Sequence, residues 1–387
     1  MGTQVMGDHH STMEEKRNVF QNRQPIPEPS PVNYYAAAQP PSPRQTDIVR
    51  FTGMAVGISS LFAEKLLSHP CIVLRRQCQV HYNAKSYHLT PFTLFQIIVN
   101  LQQKQGSSAL WKGVGSMFVV KGLLLGTETI IDETTWLPKE ISAHSSLKKY
   151  VEHLLLKGIS FAVNTPFYAA VLIETVQSDI GGDKPGLFDC VKEGVTRVVG
   201  IGMPQTTRLL PIYKLMLPTA TYWLLDYITT SIAQYTVMSA VRSEQQDQEM
   251  DGVSVYQTCF PELLAQYTGG LLSNALLFPL ETVLHRLYLQ GTRTIIDNTD
   301  NGLGVIPINT KYEGVIDCFK SIFFEEGVFG FYKGVGALIL QYALHALILK
   351  GAFFLFNTFT KDMTPQRKVP ASQTPAEDFN PFQPRYN

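Results

Sequence analysis

The sequence predicts an all-α membrane protein, with six transmembrane helices in three pseudo-repeats behind a disordered N-terminal tail. Three observations predict it. Charged residues make up 17% of the 387, below the roughly 25% usual in soluble domains. Long apolar runs recur along the chain, and one in each third carries a proline: Pro70, Pro166 and Pro279. A local pattern also returns with the same spacing. Gly106, Trp111, Lys112 and Gly113 in the first third match Gly327, Tyr332, Lys333 and Gly334 in the last. Units of roughly a hundred residues that recur in this way define a repeat architecture.

Composition narrows the function classes. Lys plus Arg equal Asp plus Glu at 32 each, so the net charge is zero. Nothing here draws the chain to nucleic acid. Mean hydropathy is only +0.01, because polar loops and a polar tail dilute the apolar runs. The five cysteines, Cys71, Cys78, Cys190, Cys259 and Cys318, form no Cys-x-x-Cys pair. An odd count without that spacing reads as free thiols rather than a disulfide framework or a zinc site.

Residues 1–46 form a Pro-rich region, with Pro25, Pro27, Pro29 and Pro31 alternating with other residues. Such a segment buries too little to fold alone. It has no apolar core of the secretory kind, and Asp8, Glu14 and Glu15 set it apart from acid-poor mitochondrial presequences. The paired His9 and His10 carry no metal assignment. Residues 47–360 form the membrane domain, in repeats of about 47–140, 147–241 and 258–360. A polar tail of 361–387 follows.

The first span is expected over 48–70, and Arg75 and Arg76 follow its proline. A proline inside a helix removes a donor and clashes with the carbonyl one turn back, so bends are expected at Pro70, Pro166 and Pro279. Residues 91–104 place Phe92, Phe95, Ile98 and Val99 at helical spacing, as in a helix lying on a membrane surface. The second span covers about 114–131. Lys121 and Glu128 within it stand seven apart, so they share a face and are candidates for lining a cavity. The third span runs over 151–176, followed by a loop helix at 187–199. The fourth spans about 209–238, with Pro211 and Pro218 near its start. The polar stretch 242–252 reads as a linker. The fifth span, about 263–290, carries Pro279, Glu281 and Arg286. Charges near the end of a membrane span favour a protein interior or a wet cavity. The sixth covers about 335–356.

No phosphate-cradling Gly-Lys-Ser/Thr loop, His-Glu-x-x-His or Gly-x-Ser-x-Gly is present, so no enzyme motif, cofactor or metal site is expected. Gly113-Val114-Gly115 and Gly334-Val335-Gly336 start spans, where close packing accounts for them.

The tripled unit resembles the mitochondrial carrier family, solute carrier family 25, over about 48–356. The carrying pattern is Pro-x-acid-x-x-base at the end of each odd-numbered helix. In that family each acid pairs with a base of a neighbouring repeat, and the ring of pairs closes one side of a cavity. Ile72 stands at the first acid position. Tyr168 and Val171 replace the second acid and base, and Leu284 occupies the third base position. By the family's geometry one pair survives, Arg75 with Glu281. No aromatic-acid-x-x-base motif marks the even-numbered spans for the opposite side. The stretch from Ser68 to Val80, the Pro279 segment and the loop 291–300 are similar to a divergent outer-membrane branch. That resemblance implies a multi-pass protein of the mitochondrial outer membrane. It also implies a role in fission and fusion balance, cristae upkeep and lipid traffic, exerted through the fission and fusion machinery and the cristae-organising complex.

Gate loss and this resemblance lead to the expectation of a non-enzymatic adaptor in the bilayer. Its Pro-rich tail and the loop 291–300 would be the candidate partner surfaces. The alternative is a transporter of a small anionic or amphipathic solute, with Arg75, Lys121 and Glu128 lining its path. The residues themselves set no oligomeric state.

Overall fold

A computed structural model describes residues 62, 65–141, 145–180, 186–200, 208–246 and 255–363, within the larger of the chain's two units, Thr52–Asn387. The tail 1–46, most of the first expected span, most of the 242–252 linker and the residues after 363 lie outside the described residues.

The helices follow the apolar runs. Helix α1 spans His69–Val80, α2 Leu94–Gln105, α3 Val114–Thr134, α4 Leu147–Val176, α5 Asp189–Val199, α6 Ile212–Gln246, α7 Val255–Leu289, α8 Val315–Glu325 and α9 Val335–Met363. Neighbours in sequence pack together: α3 on α4, α4 on α6 and α6 on α7. Helix α9 packs on α7 and α1, bringing the last repeat back to the first. The loop helices α2, α5 and α8 are short and amphipathic, one in each repeat.

Among the described residues three helical stretches are long and apolar enough to cross a bilayer: Ser107–Thr134, Leu147–Val176 and Val328–Phe354. Only 17% and 28% of the first and third apolar windows are buried within the protein, against 67% of the second. Most of the α3 and α9 apolar surface therefore faces outward, where only lipid would cover it. Helices α6 and α7, at 35 residues each, are long enough to cross but more polar.

Proline does not act alike in the three repeats. Pro166 lies inside α4 and Pro279 inside α7, where each removes one ladder donor. Pro70 instead sits in the first turn of α1. Ser68 makes a turn there, and its carbonyl accepts from the Cys71 and Ile72 amides at 3.0 and 3.3 Å. A first-turn N–H has no intrahelical partner, so proline costs little at that place. Pro70 starts α1 directly after a break at Ser68, which follows the helical residues 65–67.

The all-α expectation also needs correction. Ile295–Asp297 (β1) and Val305–Pro307 (β2) form an antiparallel hairpin, with Ile296 opposite Ile306. In the segment between α7 and α8, β2 alternates in burial and Ile296 of β1 is fully buried. A period of two suits a strand and not a helix.

The largest core cluster lies where the loop ends of the repeats meet. It joins Leu172 and Val176 of α4, Leu215 of α6, Leu284 and Leu287 of α7, and Ile296 of β1. The two glycines that start spans are set by space. Gly334 has φ +83°, and a Cβ there would lie 2.7 Å from Cys78 Cβ. A Cβ on Gly336 would fall 2.5 Å from the Thr90 carbonyl.

Candidate functional site

The charges of the proline segments are buried, and each is held by several partners. Pro279 places Glu281 on the face of α7 that meets α1. One Glu281 oxygen pairs with Arg75 Nη2 at 3.1 Å, and both side chains are 7% exposed. Its other oxygen accepts from Gln79 Nε2 at 2.9 Å. Arg75 Nη1 also donates to Asn274 Oδ1 at 3.1 Å, and the Asn274 amide donates to the Tyr342 hydroxyl at 2.8 Å. His285 Nδ1 donates to Gln79 Oε1 at 2.7 Å. One chain of bonds thus runs from α7 through α1 to α9.

Arg286 faces the other way. It makes a two-pronged pair with Glu326, whose Oε2 accepts at 2.9 Å, and its Nε donates to the Gln79 carbonyl at 3.0 Å. Glu326 is shared. Lys333 Nζ lies 2.5 Å from the same Oε2, donates to the carbonyls of His81 and Tyr82 at 3.1 and 3.0 Å, and sits over the Tyr87 ring. Lys333 is 1% exposed. One carboxylate therefore neutralises two buried cations, the condition under which buried charge is tolerated. Sequence reasoning passed over Glu326, although it directly precedes the repeated Gly-x-x-x-x-aromatic-Lys-Gly stretch.

The matching lysine of the first repeat has a different arrangement. Lys112 Nζ lies 3.2 Å from Asp297 Oδ2 and 3.5 Å from Asp179 Oδ1. It also donates to the Gln177 carbonyl at 2.9 Å. Trp111 donates to the Leu66 carbonyl at 3.1 Å, and Tyr332 stacks on Phe278 with ring centres 6.0 Å apart. Gly113 has φ +69°, and a Cβ on it would lie 3.0 Å from Thr175 Oγ1. Beside Lys112 lies a cavity of about 250 Å³, lined by Trp111, Gly113, Ser116, Glu174 and Asp179 among others. That is smaller than the roughly 300–1,000 Å³ of a small-molecule site.

Three expectations change. A single cross-repeat ion pair is too few: Lys112 reaches Asp179 in the second repeat and Asp297 in the third, and Glu128 pairs with Lys157 at 2.8 Å. These partners stand outside the Pro-x-acid pattern, so spacing within it could not show them. Lys121 and Glu128 form no salt bridge with each other, and Glu128 pairs with Lys157 instead. Seven residues put them about 10 Å apart along the axis, and Lys157 of α4 is nearer. Glu128 is 2% exposed, whereas Lys121 is exposed and has no ion pair among the described residues. The loop 291–300 is not a free surface. Ile296, Asp297 and Thr299 are 0–2% exposed, because their polar groups find partners in the other repeats.

The positions that lost charge are filled by packing. Ile72 and Leu284 are 6% and 2% exposed. Tyr168 stacks on Trp223 at 5.0 Å, and Val171 packs with Ala170 and Val120. Outside the spans, burial lowers the pKa of His81 to about 4 and also lowers that of His88, so both rings are neutral near pH 7. Among the described residues no group of three His, Cys, Asp or Glu could hold a metal.

The family model for mitochondrial carrier protein matches residues 257–365, the repeat that keeps Pro279, Glu281 and the Tyr332-Lys333-Gly334 run. Over the wider chain, the mitochondrial outer membrane protein SLC25A46 of Gallus gallus is 50% identical over 327 residues, 83% of this chain and 80% of its own length. The protein of the same name from Danio rerio is 49% identical over 352 residues, 89% of this chain and 86% of its own. That from Homo sapiens is 51% identical over 318 residues, 81% and 76%. The chain belongs to the mitochondrial carrier family and, within it, to the group of mitochondrial outer membrane proteins that these SLC25A46 relatives form.

Proposed function

We propose that this protein is a non-enzymatic adaptor of the mitochondrial outer membrane. In this reading all six long segments cross the bilayer as three repeats, and the bundle is a fixed platform rather than a shuttle. It acts through partner proteins of the fission and fusion machinery and of the cristae-organising complex, and through them on lipid traffic.

One observation carries the reading: the buried charges form a multiply bonded layer rather than single latches. Alternating access needs contacts that break and re-form between two closed states. To open the loop end here, Arg75–Glu281, Lys112–Asp297 and Lys112–Asp179 would all have to separate. Each would leave a buried charge uncompensated. Tyr168 on Trp223 and the buried Leu284 add packing that no charge exchange can replace.

Two measurements test it. Proximity labelling from the intact outer membrane is expected to recover components that remodel mitochondrial membranes. The purified protein in liposomes is expected to give no saturable exchange with a panel of small anions and amphipathic solutes. Saturable exchange that Arg75→Ala abolishes would replace the adaptor with a transporter.

A further inference from the structure

The loop between the odd helix and the loop helix is not the same length in each repeat. In the first repeat it occupies 81–93. In the third it occupies 290–314 and contains the hairpin. Asp297 of this extra chain supplies one of the pairs in the adaptor reading, and Thr294, Asp297 and Thr299 are buried with it.

Its contacts leave the third repeat in two directions. Toward the first repeat, Asp297 accepts from Gln105 Nε2 at 2.7 Å, Gln77 Nε2 at 3.1 Å and Lys112 Nζ at 3.2 Å. The Thr299 hydroxyl lies 2.6 Å from His81 Nδ1, and the Thr299 carbonyl accepts from His88 Nε2 at 2.8 Å. Asp300 accepts from the Ser86 amide at 2.8 Å, and the Asn301 carbonyl accepts from Asn100 at 2.7 Å. Gly302 has φ +67° and lies against α2, where a Cβ would come within 2.9 Å of Asn100 Cβ. Toward the second repeat, the Ser178 amide donates to the Ile295 carbonyl at 2.8 Å, and Gln177 bridges Ile296 as a strand residue would. Arg208 donates to the Asn309 carbonyl at 3.1 Å. Gly291, with φ +75°, lies so close to Leu209 that a Cβ would be 2.4 Å from its backbone nitrogen.

We infer that the segment 291–309 is a clasp: an insertion of the third repeat that binds the loop ends of the first two to each other and keeps that end of the bundle shut independently of the Arg75–Glu281 pair. The anchor is Asp297, which is 2% exposed and takes three donors from two elements of the first repeat while its strand is paired to the end of α4. The carboxylate thus holds the first repeat, and the backbone of the same strand holds the second. The charge that holds it comes from Lys112, the lysine of the repeated Trp-Lys-Gly stretch. Its counterpart Lys333 pairs with Glu326 within the third repeat and reaches the first repeat through the His81 and Tyr82 carbonyls, with no contact to the second. The inference is independent of which partners the protein binds.

Hydrogen exchange read by mass spectrometry on the full-length protein in nanodiscs tests it. Three proteins are compared: wild type, Asp297→Ala, and Arg75→Met with Glu281→Leu. If the segment is a clasp, Asp297→Ala speeds exchange about tenfold in peptides covering 84–90 and 175–180, which belong to the other two repeats. The double variant leaves both peptides as in wild type. Faster exchange confined to 291–309 in Asp297→Ala would overturn the inference, because the hairpin would then be a passive ornament. It would equally fall if the double variant opened 84–90 and 175–180 while Asp297→Ala did not. Should Asp297→Ala fail to accumulate, Thr299→Val serves instead. It keeps the side-chain volume and drops the His81 contact, and the same two-repeat pattern is expected with smaller amplitude. No change outside the hairpin would again overturn the inference.

Discussion

The second and third repeats meet the same packing demand with opposite chemistry. Helix α7 puts Glu281 and Arg286 after its proline, and every charge there needs a partner from elsewhere: Arg75 and Gln79 from α1, Glu326 from the end of α8. Helix α4 puts Tyr168 where α7 has Glu281 and Val171 where α7 has Leu284, and both need only contact. Tyr168 lies flat on Trp223, and Val171 fills a small apolar cluster. The ionic solution is conditional, since losing one member leaves a charge stranded in a low-dielectric interior. The aromatic solution degrades gradually. The two helices therefore respond differently to the loss of one side chain.

The sharpest way to break that contrast is Glu326→Ala. It strands Arg286 and Lys333 together, so the loss should approach about 5 kcal/mol, the top of the range for a broken buried pair. Thermal denaturation in detergent and steady-state abundance both report it. Glu281→Ala strands one cation that keeps its bond to Asn274, and about 3 kcal/mol is expected, again read as a lowered melting midpoint and reduced abundance. Unchanged stability in either variant would mean that these pairs are exchangeable, as in a gate. On the aromatic side, Tyr168→Leu should cost about 1 kcal/mol from the lost ring contact, a drop clearly below that for Glu281→Ala in the same assay.

Smaller effects sharpen the comparison. Arg75→Met with Glu281→Leu replaces both charges by apolar groups and converts the third repeat to the second repeat's solution. Its stability is expected within about 1 kcal/mol of wild type, whereas a loss as large as that of Glu281→Ala would show that the pair does more than satisfy itself. The clasp adds a pH dependence. His81 has its pKa lowered by burial to about 4, against about 6.5 for a free imidazole. The unfolded chain therefore binds more protons across that interval, and stability falls as pH drops from 6.5 to 4. His81→Gln is expected to flatten that part of the pH profile. An unchanged slope in the variant would assign the dependence to other groups.

Much of this was legible in the residues, and the gaps have physical causes. The repeats, the apolar spans and the amphipathic loop helices follow from periodicity, which is local. Glu281 and Arg75 could be placed together because their motif has a fixed register within the family pattern. Glu326 was visible as a neighbour of the Phe-Tyr-Lys-Gly stretch, but nothing local says that Arg286 would reach it across 40 residues. Asp297 and Asp179 were harder still. They sit in loops that share no spacing with Lys112, and only the fold brings the three together. The loop 291–300 misled for the same reason: its polar residues read as a surface, and they are buried because the other repeats supply their donors. Trp223 gave no signal at all, since an aromatic residue on an apolar helix is ordinary. The family model matches only 257–365, which is the copy where acid, base and glycine all survive.

By itself, the sequence determined that the chain is mostly helical with long apolar segments, and that most charged positions of the family pattern hold apolar side chains. Those properties depend on residues within a turn or two of one another. The tertiary structure alone decided what each remaining charge is bonded to, and that a loop of the third repeat lies buried across the other two. A buried polar group is stable only beside its partner, and here the partners lie more than two hundred residues away along the chain, as with Asp297 and Gln77 or Lys333 and His81.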